Sequence, residues 1–127
     1  MLFVTEYNSY ESNSICVSLR PVYSCGVSRY NDVMKILRVA QKLYPEVKGG
    51  GTYHIHALSR DQVAMGHDVT VATVRRDDEL PQVETRDGYT VVRFDSLGAP
   101  LGNDISPGLA RYLQKAEEFD VIHAHSH

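Results

Sequence analysis

Met34-Lys35-Ile36-Leu37-Arg38-Val39-Ala40 is the stretch whose reading decides the fold. A basic residue followed by a short, mostly apolar run predicts a buried strand, here over residues 36–40. The chain then breaks into a loop over residues 41–51, which carries Pro45 and the consecutive glycines Gly49, Gly50 and Gly51. Residues 52–65 predict a helix. Ile55, Leu58 and Met65 share one face at helical spacing, with Gln62 interrupting it. Gly66 suits the position just past a helix end, because it reaches the left-handed conformation without a Cβ clash. Residues 69–74 alternate Val with small residues and predict a second buried strand.

Further along, Asp87-Gly88 is a hairpin signal between residues 82–86 and 89–94. Residues 97–107 read as a loop. Residues 108–118 predict a helix with Leu109, Tyr112, Leu113 and Ala116 on one face, and residues 120–123 begin another strand. Strand–helix–strand order predicts an α/β fold, an incomplete Rossmann-like parallel sheet with right-handed crossovers. In such sheets ligands bind at the carboxyl ends of the strands, near the topological switch. The glycine loop after the first strand and the histidines ending the last strand both fall there.

Residues 1–33 differ from the rest. They are rich in Ser, Tyr and Asn and show no sustained period, so they read as an irregular N-terminal extension. We expect a translated upstream region, with Met34 the natural start of a domain over 34–127. The alternative is a genuine extension packed on the domain as an extra strand. Cys16 and Cys25 are read as free thiols, with a small disulfide loop as the alternative.

The chain has 127 residues, 43 % of them hydrophobic and 23 % charged, with a net charge of -3. That is enough for one modest core and matches an ordinary globular domain. A nucleic-acid partner has no electrostatic support. No apolar run approaches the roughly 20 residues that span a bilayer. Residues 1–4 are apolar but lack a preceding basic residue, and Glu6, Asn8 and Ser9 end the run, so no signal peptide is read and a cytoplasmic location is expected.

Lys48-Gly49-Gly50-Gly51-Thr52 leads straight into a helix. Glycines let a ligand approach the backbone, and a helix start offers free N–H groups and a positive dipole end, which together suit a phosphate. The motif lacks the Gly-Lys-Ser/Thr of a Walker loop. It also lacks the third glycine of the dinucleotide fingerprint, where His54 stands. A flexible turn without a ligand is the plain alternative. His54 and His56 fall on different faces of the first helix turns, and His67 follows Gly66. His123, His125 and His127 alternate, which puts them on one face of a strand. That spacing invites a metal, but no Asp or Cys stands in place to complete a site, and no metal ligand is assigned. A histidine satisfied within the packed sheet is the plain reading of His123.

Tyr44-Pro45, Gly49-Gly50, His54-Ile55, Leu58, Gly66-His67-Asp68-Val69-Thr70-Val71 and Asp120-Val121-Ile122-His123-Ala124-His125 together resemble the N-terminal domain of family 4 glycosyltransferases. The resemblance spans nearly all of 34–127. It implies the first part of the N-terminal domain of a two-domain GT-B fold. It also implies retaining sugar transfer from a nucleotide sugar, usually without a metal and with no other cofactor. Gly49 and Gly50, with Gly51 beside them, would lie against donor phosphates and acceptor. His125 would touch the donor and serve as the catalytic residue. The partners implied are a UDP- or GDP-sugar and a sugar or lipid-linked acceptor, and peripheral membrane association of the full enzyme is allowed. Ser59 and Gln62 depart from the family's usual Ala and Leu, which implies a subgroup or a helix face less buried than usual. The family's second domain, with its paired Glu residues, has no counterpart in these residues, so a fragment inactive alone is expected. The competing readings are a non-catalytic nucleotide- or sugar-binding module and a metal-dependent hydrolase using the C-terminal histidines.

Overall fold

The computed structural model describes the backbone of residues 3–5, 14–18 and 33–125, and side chains over 33–125. The elements in chain order are β1 (Phe3–Thr5), β2 (Ser14–Ser18), β3 (Lys35–Val39), α1 (Gly50–Ala64), β4 (Asp68–Arg75), β5 (Val83–Arg86), β6 (Tyr89–Asp95), α2 (Pro107–Gln114) and β7 (Val121–His125). One seven-stranded sheet takes the order β1-β2-β7-β3-β4-β6-β5. Its central strands β7, β3, β4 and β6 are parallel. β5 adds antiparallel to β6, and β2 and β1 add antiparallel beyond β7. The Cys16–Cys25 question and the reading of His127 lie outside the described side chains.

Alternation along each central strand builds two cores. Ile36 and Ala40, Val69 and Val71, and Tyr89 and Val91 face α1, where Ile55 and Leu43 close the layer. Leu37, Ala72 and Phe94 face the other way and pack with Leu109, Tyr112, Leu113, Ala116 and Phe119. The predicted apolar stripe of α2 is the stripe that packs. Helices thus cover opposite faces of a mostly parallel sheet, the Rossmann-like arrangement expected from the strand–helix order.

Several details depart from the expectation. α1 begins at Gly50, so two of the three glycines form its first turn and are not loop. Its buried residues are Thr52, Ile55, His56 and Ser59, whereas Leu58 is half-buried and Met65 is 73 % exposed. The helix is rotated because the sheet beneath it is polar at two points. Tyr89 and Arg38 are both buried there and find partners in His56 and Ser59. α2 starts one residue early, where Ser106 Oγ accepts from the Leu109 N–H at 3.4 Å and Pro107 takes the first helical position. That is a normal helix start. It also ends early, at Gln114, and a 3-10 turn over Ala116–Glu118 completes the crossover. At the β5–β6 turn Asp87 and Gly88 both take positive φ, +46° and +89°, the geometry a two-residue hairpin demands.

Candidate functional site

β3 is flanked by β4 on one side and β7 on the other, so the chain changes direction across the sheet between β3 and β7. The crevice outside the carboxyl ends of these strands is where ligands bind such sheets. Two groups meet there. The loop after β3 ends at Gly49 and turns into α1, and β7 ends in His123 and His125.

Among the described residues nothing requires glycine at position 49 or 50. Gly49 has φ -177° and ψ 163°, extended backbone that any residue adopts. A Cβ added at Gly49 would meet only Thr52 Oγ1, at 3.8 Å, and one added at Gly50 would meet nothing within 4 Å. The helix has no side-chain cap and no acidic residue in its first turn. Its positive end therefore has no compensating negative side chain on the helix itself. The loop is held by Thr52, whose hydroxyl donates to the carbonyl oxygens of Val47 (2.7 Å) and Gly49 (3.0 Å).

His123 and His125 point to the α1 face with ring centroids 4.0 Å apart. His54, exposed in the first turns of α1, lies 6.5 Å from His125 between ring centroids. Burial, then the charge of Arg38 and then His54, pushes the His123 imidazole down from 6.5 to about 4, so it is neutral at pH 7. Two further histidines, His56 and His67, serve elsewhere. His56 Nδ1 is 2.9 Å from the Tyr89 hydroxyl, with Nε2 3.6 Å from the Asp87 carboxylate. His67 Nδ1 accepts from the Met34 N–H at 3.3 Å, tying the start of β3 to the turn after α1. Among the described residues no group of three or more His, Cys, Asp or Glu could hold a metal ion.

Arg38 explains the two departures in α1. Its Cα is in register with that of His123, and its side chain, 1 % exposed as a residue, turns under the helix. It donates to Ser59 Oγ at 2.9 Å and to Gln62 Oε1. Ser59 is fully buried, at 0 % exposure, and Gln62 is half-buried. A hydroxyl and an amide suit these two positions because a buried guanidinium needs acceptors.

A second network fixes the loop that leads into the glycines. Arg93 on β6 donates to Glu46 and to Glu84, each at 2.8 Å, and Arg86 donates to the same two carboxylates. Burial opposes the charge on Glu46, but the hydrogen bond from Arg86 and the charges of Arg86 and Arg93 hold its carboxyl below the usual range. Sequence reading missed this clamp. Glu84 and Arg86 show the period of a strand, but Glu46 sits 40 residues from Arg86 and 47 from Arg93.

Among proteins of known type, the description Glycosyltransferase Family 4 matches residues 48–127. The chain belongs to this family. No curated protein and no solved structure matches it. Within this glycosyltransferase family 4 domain the match takes in Gly49, Gly50 and Gly51, His54, His123 and His125, whereas Arg38 and Glu46 precede it. Among the described residues no helix is long and apolar enough to cross a membrane.

Proposed function

We propose that residues 34–127 form the part of a retaining glycosyltransferase that receives the diphosphate of a UDP- or GDP-sugar and the acceptor, a sugar or lipid-linked sugar. One observation carries the reading. Gly49 and Gly50 stand at a helix start where neither backbone nor packing needs glycine, on the crevice that His54 and His125 also face. Space without a Cβ, free amides and a positive dipole end are what a diphosphate requires.

In the reaction, the bond from the anomeric carbon to the diphosphate oxygen breaks and its electron pair stays on the diphosphate. The N–H groups opening α1 and a ring N–H of His125 stabilise that growing charge, the acceptor oxygen bonds to the anomeric carbon, and the acceptor's hydroxyl proton passes to the departing diphosphate oxygen. Neutral His123 adds no charge of its own. No metal is required, because the helix start and His125 supply the stabilisation. A second, nucleotide-binding domain completes the cleft on this reading, so the 127-residue chain transfers no sugar by itself. Titration calorimetry of the chain with UDP, GDP and their sugars tests the proposal: weak binding abolished in Gly50→Val supports it. Binding unchanged in that variant, or turnover by the chain alone, overturns it. On the same reading residues 1–33 precede the domain proper, and N-terminal sequencing of the protein from its host distinguishes a start at Met1 from one at Met34.

A further inference from the structure

The buried side of α1 is mostly polar. Thr52, Ile55, His56 and Ser59 follow helical spacing along it, and of these four Ile55 alone is apolar. Leu58 and Val63 are half-buried and Met65 is exposed. Apolar burial has no direction, so one fully buried aliphatic residue fixes the rotation of a helix about its axis only weakly. Hydrogen bonds from the sheet have direction. His56 Nδ1 meets the Tyr89 hydroxyl of β6 at 2.9 Å. Arg38 of β3 donates to Ser59 Oγ at 2.9 Å and, one turn further along α1, to Gln62 Oε1. A guanidinium holds its N–H groups in a rigid planar fork, so two acceptors on one helix define an angle as well as a distance.

That angle matters at the other end of the helix. α1 opens at Gly50, and His54 in its first turns lies 6.5 Å from His125 between ring centroids. On a helix roughly 10–12 Å across, a rotation of about 20° displaces a side-chain tip by about 2 Å. Such a rotation would part His54 from His125 across the crevice. Arg38 also adjoins the opposite wall. Its Cα is in register with that of His123, whose ring stands 4.0 Å from the ring of His125. A single buried side chain, under the helix and out of reach of any substrate, thus abuts both walls of the crevice.

We infer that Arg38 is a positioning residue for the diphosphate site, setting through Ser59 and Gln62 the angle at which α1 presents His54 to His125. The identity of the ligand rests on the glycosyltransferase reading above, while the positioning rests on the contacts themselves. The test compares the 127-residue chain with the triple variant Arg38→Met, Ser59→Ala, Gln62→Leu, which fills the same space with apolar groups. Gln62→Met, at a half-buried position, removes one of the two acceptors and serves if the triple variant does not fold. Two readouts are taken: the nuclear Overhauser effect between the His54 and His125 rings without ligand, and the affinity for UDP and GDP by resonance titration. The folded triple variant should lose the ring-to-ring effect and bind the nucleotide about tenfold less tightly, the size of one well-made contact. Gln62→Met should weaken both by less. A ring-to-ring effect as strong as the parent's in either folded variant overturns the inference, and so does unchanged nucleotide affinity. If the parent chain binds neither UDP nor GDP, the donor reading falls and the ring-to-ring effect alone decides whether Arg38 sets α1, so the two failures are distinguishable.

Discussion

Arg38 donates to the hydroxyl of Ser59 across 2.9 Å in an interior where both residues are buried. This pair sets the rotation of α1 and places a permanent positive charge beside His123. Ser59→Ala removes an acceptor from a buried cation and should cost about 1–3 kcal/mol. Replacing Arg38, Ser59 and Gln62 together by Met, Ala and Leu should recover most or all of that loss, since a buried charge with its partners is often no more stable than a packed apolar set. Urea midpoints on both variants check this. A triple variant less stable than Ser59→Ala would show that Arg38 does more for the fold than fill its site.

The depressed pKa of His123 makes stability depend on pH. The unfolded chain takes up the His123 proton near pH 6.5, and the folded one only near 4. Its contribution is therefore full above about pH 6.5 and is lost as pH falls toward 4. The melting temperature should drop over that window. Arg38→Met should raise the His123 pKa, read from its imidazole resonances, and shallow the drop. An unchanged His123 pKa in that variant would remove Arg38 as a cause.

Glu46 joins the loop after β3 to the β5–β6 hairpin through Arg86 and Arg93. Glu46→Ala should cost about 1–3 kcal/mol, because it leaves buried Arg93 with one carboxylate fewer. Its carboxyl titrates below 4.5 in the folded chain, so this contribution is present above that value and fades as pH falls further. Hydrogen exchange at Val47, whose N–H bonds the Leu43 carbonyl, should quicken in the variant. Exchange unchanged at Val47 would mean that the clamp does not hold the loop.

Two glycines should respond oppositely to alanine. At Gly88 a Cβ would meet Val63 Cγ1 at 2.7 Å, and φ is +89°. Gly88→Ala should lower the melting temperature clearly, through both clash and strain. At Gly50, inside α1 with open space around it, alanine should add about 0.5–1 kcal/mol of stability. Thermal unfolding of the two variants decides it, and a destabilised Gly50→Ala would indicate that the fold itself needs that glycine.

Much of this architecture was legible in the residues. The Val69 and Val71 alternation, the Asp87-Gly88 turn, the Leu109–Tyr112–Leu113–Ala116 stripe and the helix stop at Gly66 are local signals, and each lies where local rules place it. The resemblance to family 4 was legible for the same reason, through short motifs in order. The face of α1 was not. Of the stripe Ile55, Leu58 and Met65 only Ile55 is fully buried, because Arg38 and Tyr89, distant in sequence, draw Ser59 and His56 inward. The clamp around Glu46 was invisible because it assembles from segments far apart along the chain. His54 belonged to a recognised motif, yet its approach to His125 depends on how α1 crosses the sheet.

The donor site is the central claim, and an amide-resonance titration of the chain with UDP and GDP at millimolar concentration tests it most directly. Fast-exchange shifts should concentrate at Gly49, Gly50, Gly51 and His125, and Gly50→Val should remove them while keeping the rest of the spectrum native. Shifts that avoid the start of α1, or that persist in Gly50→Val, would contradict it.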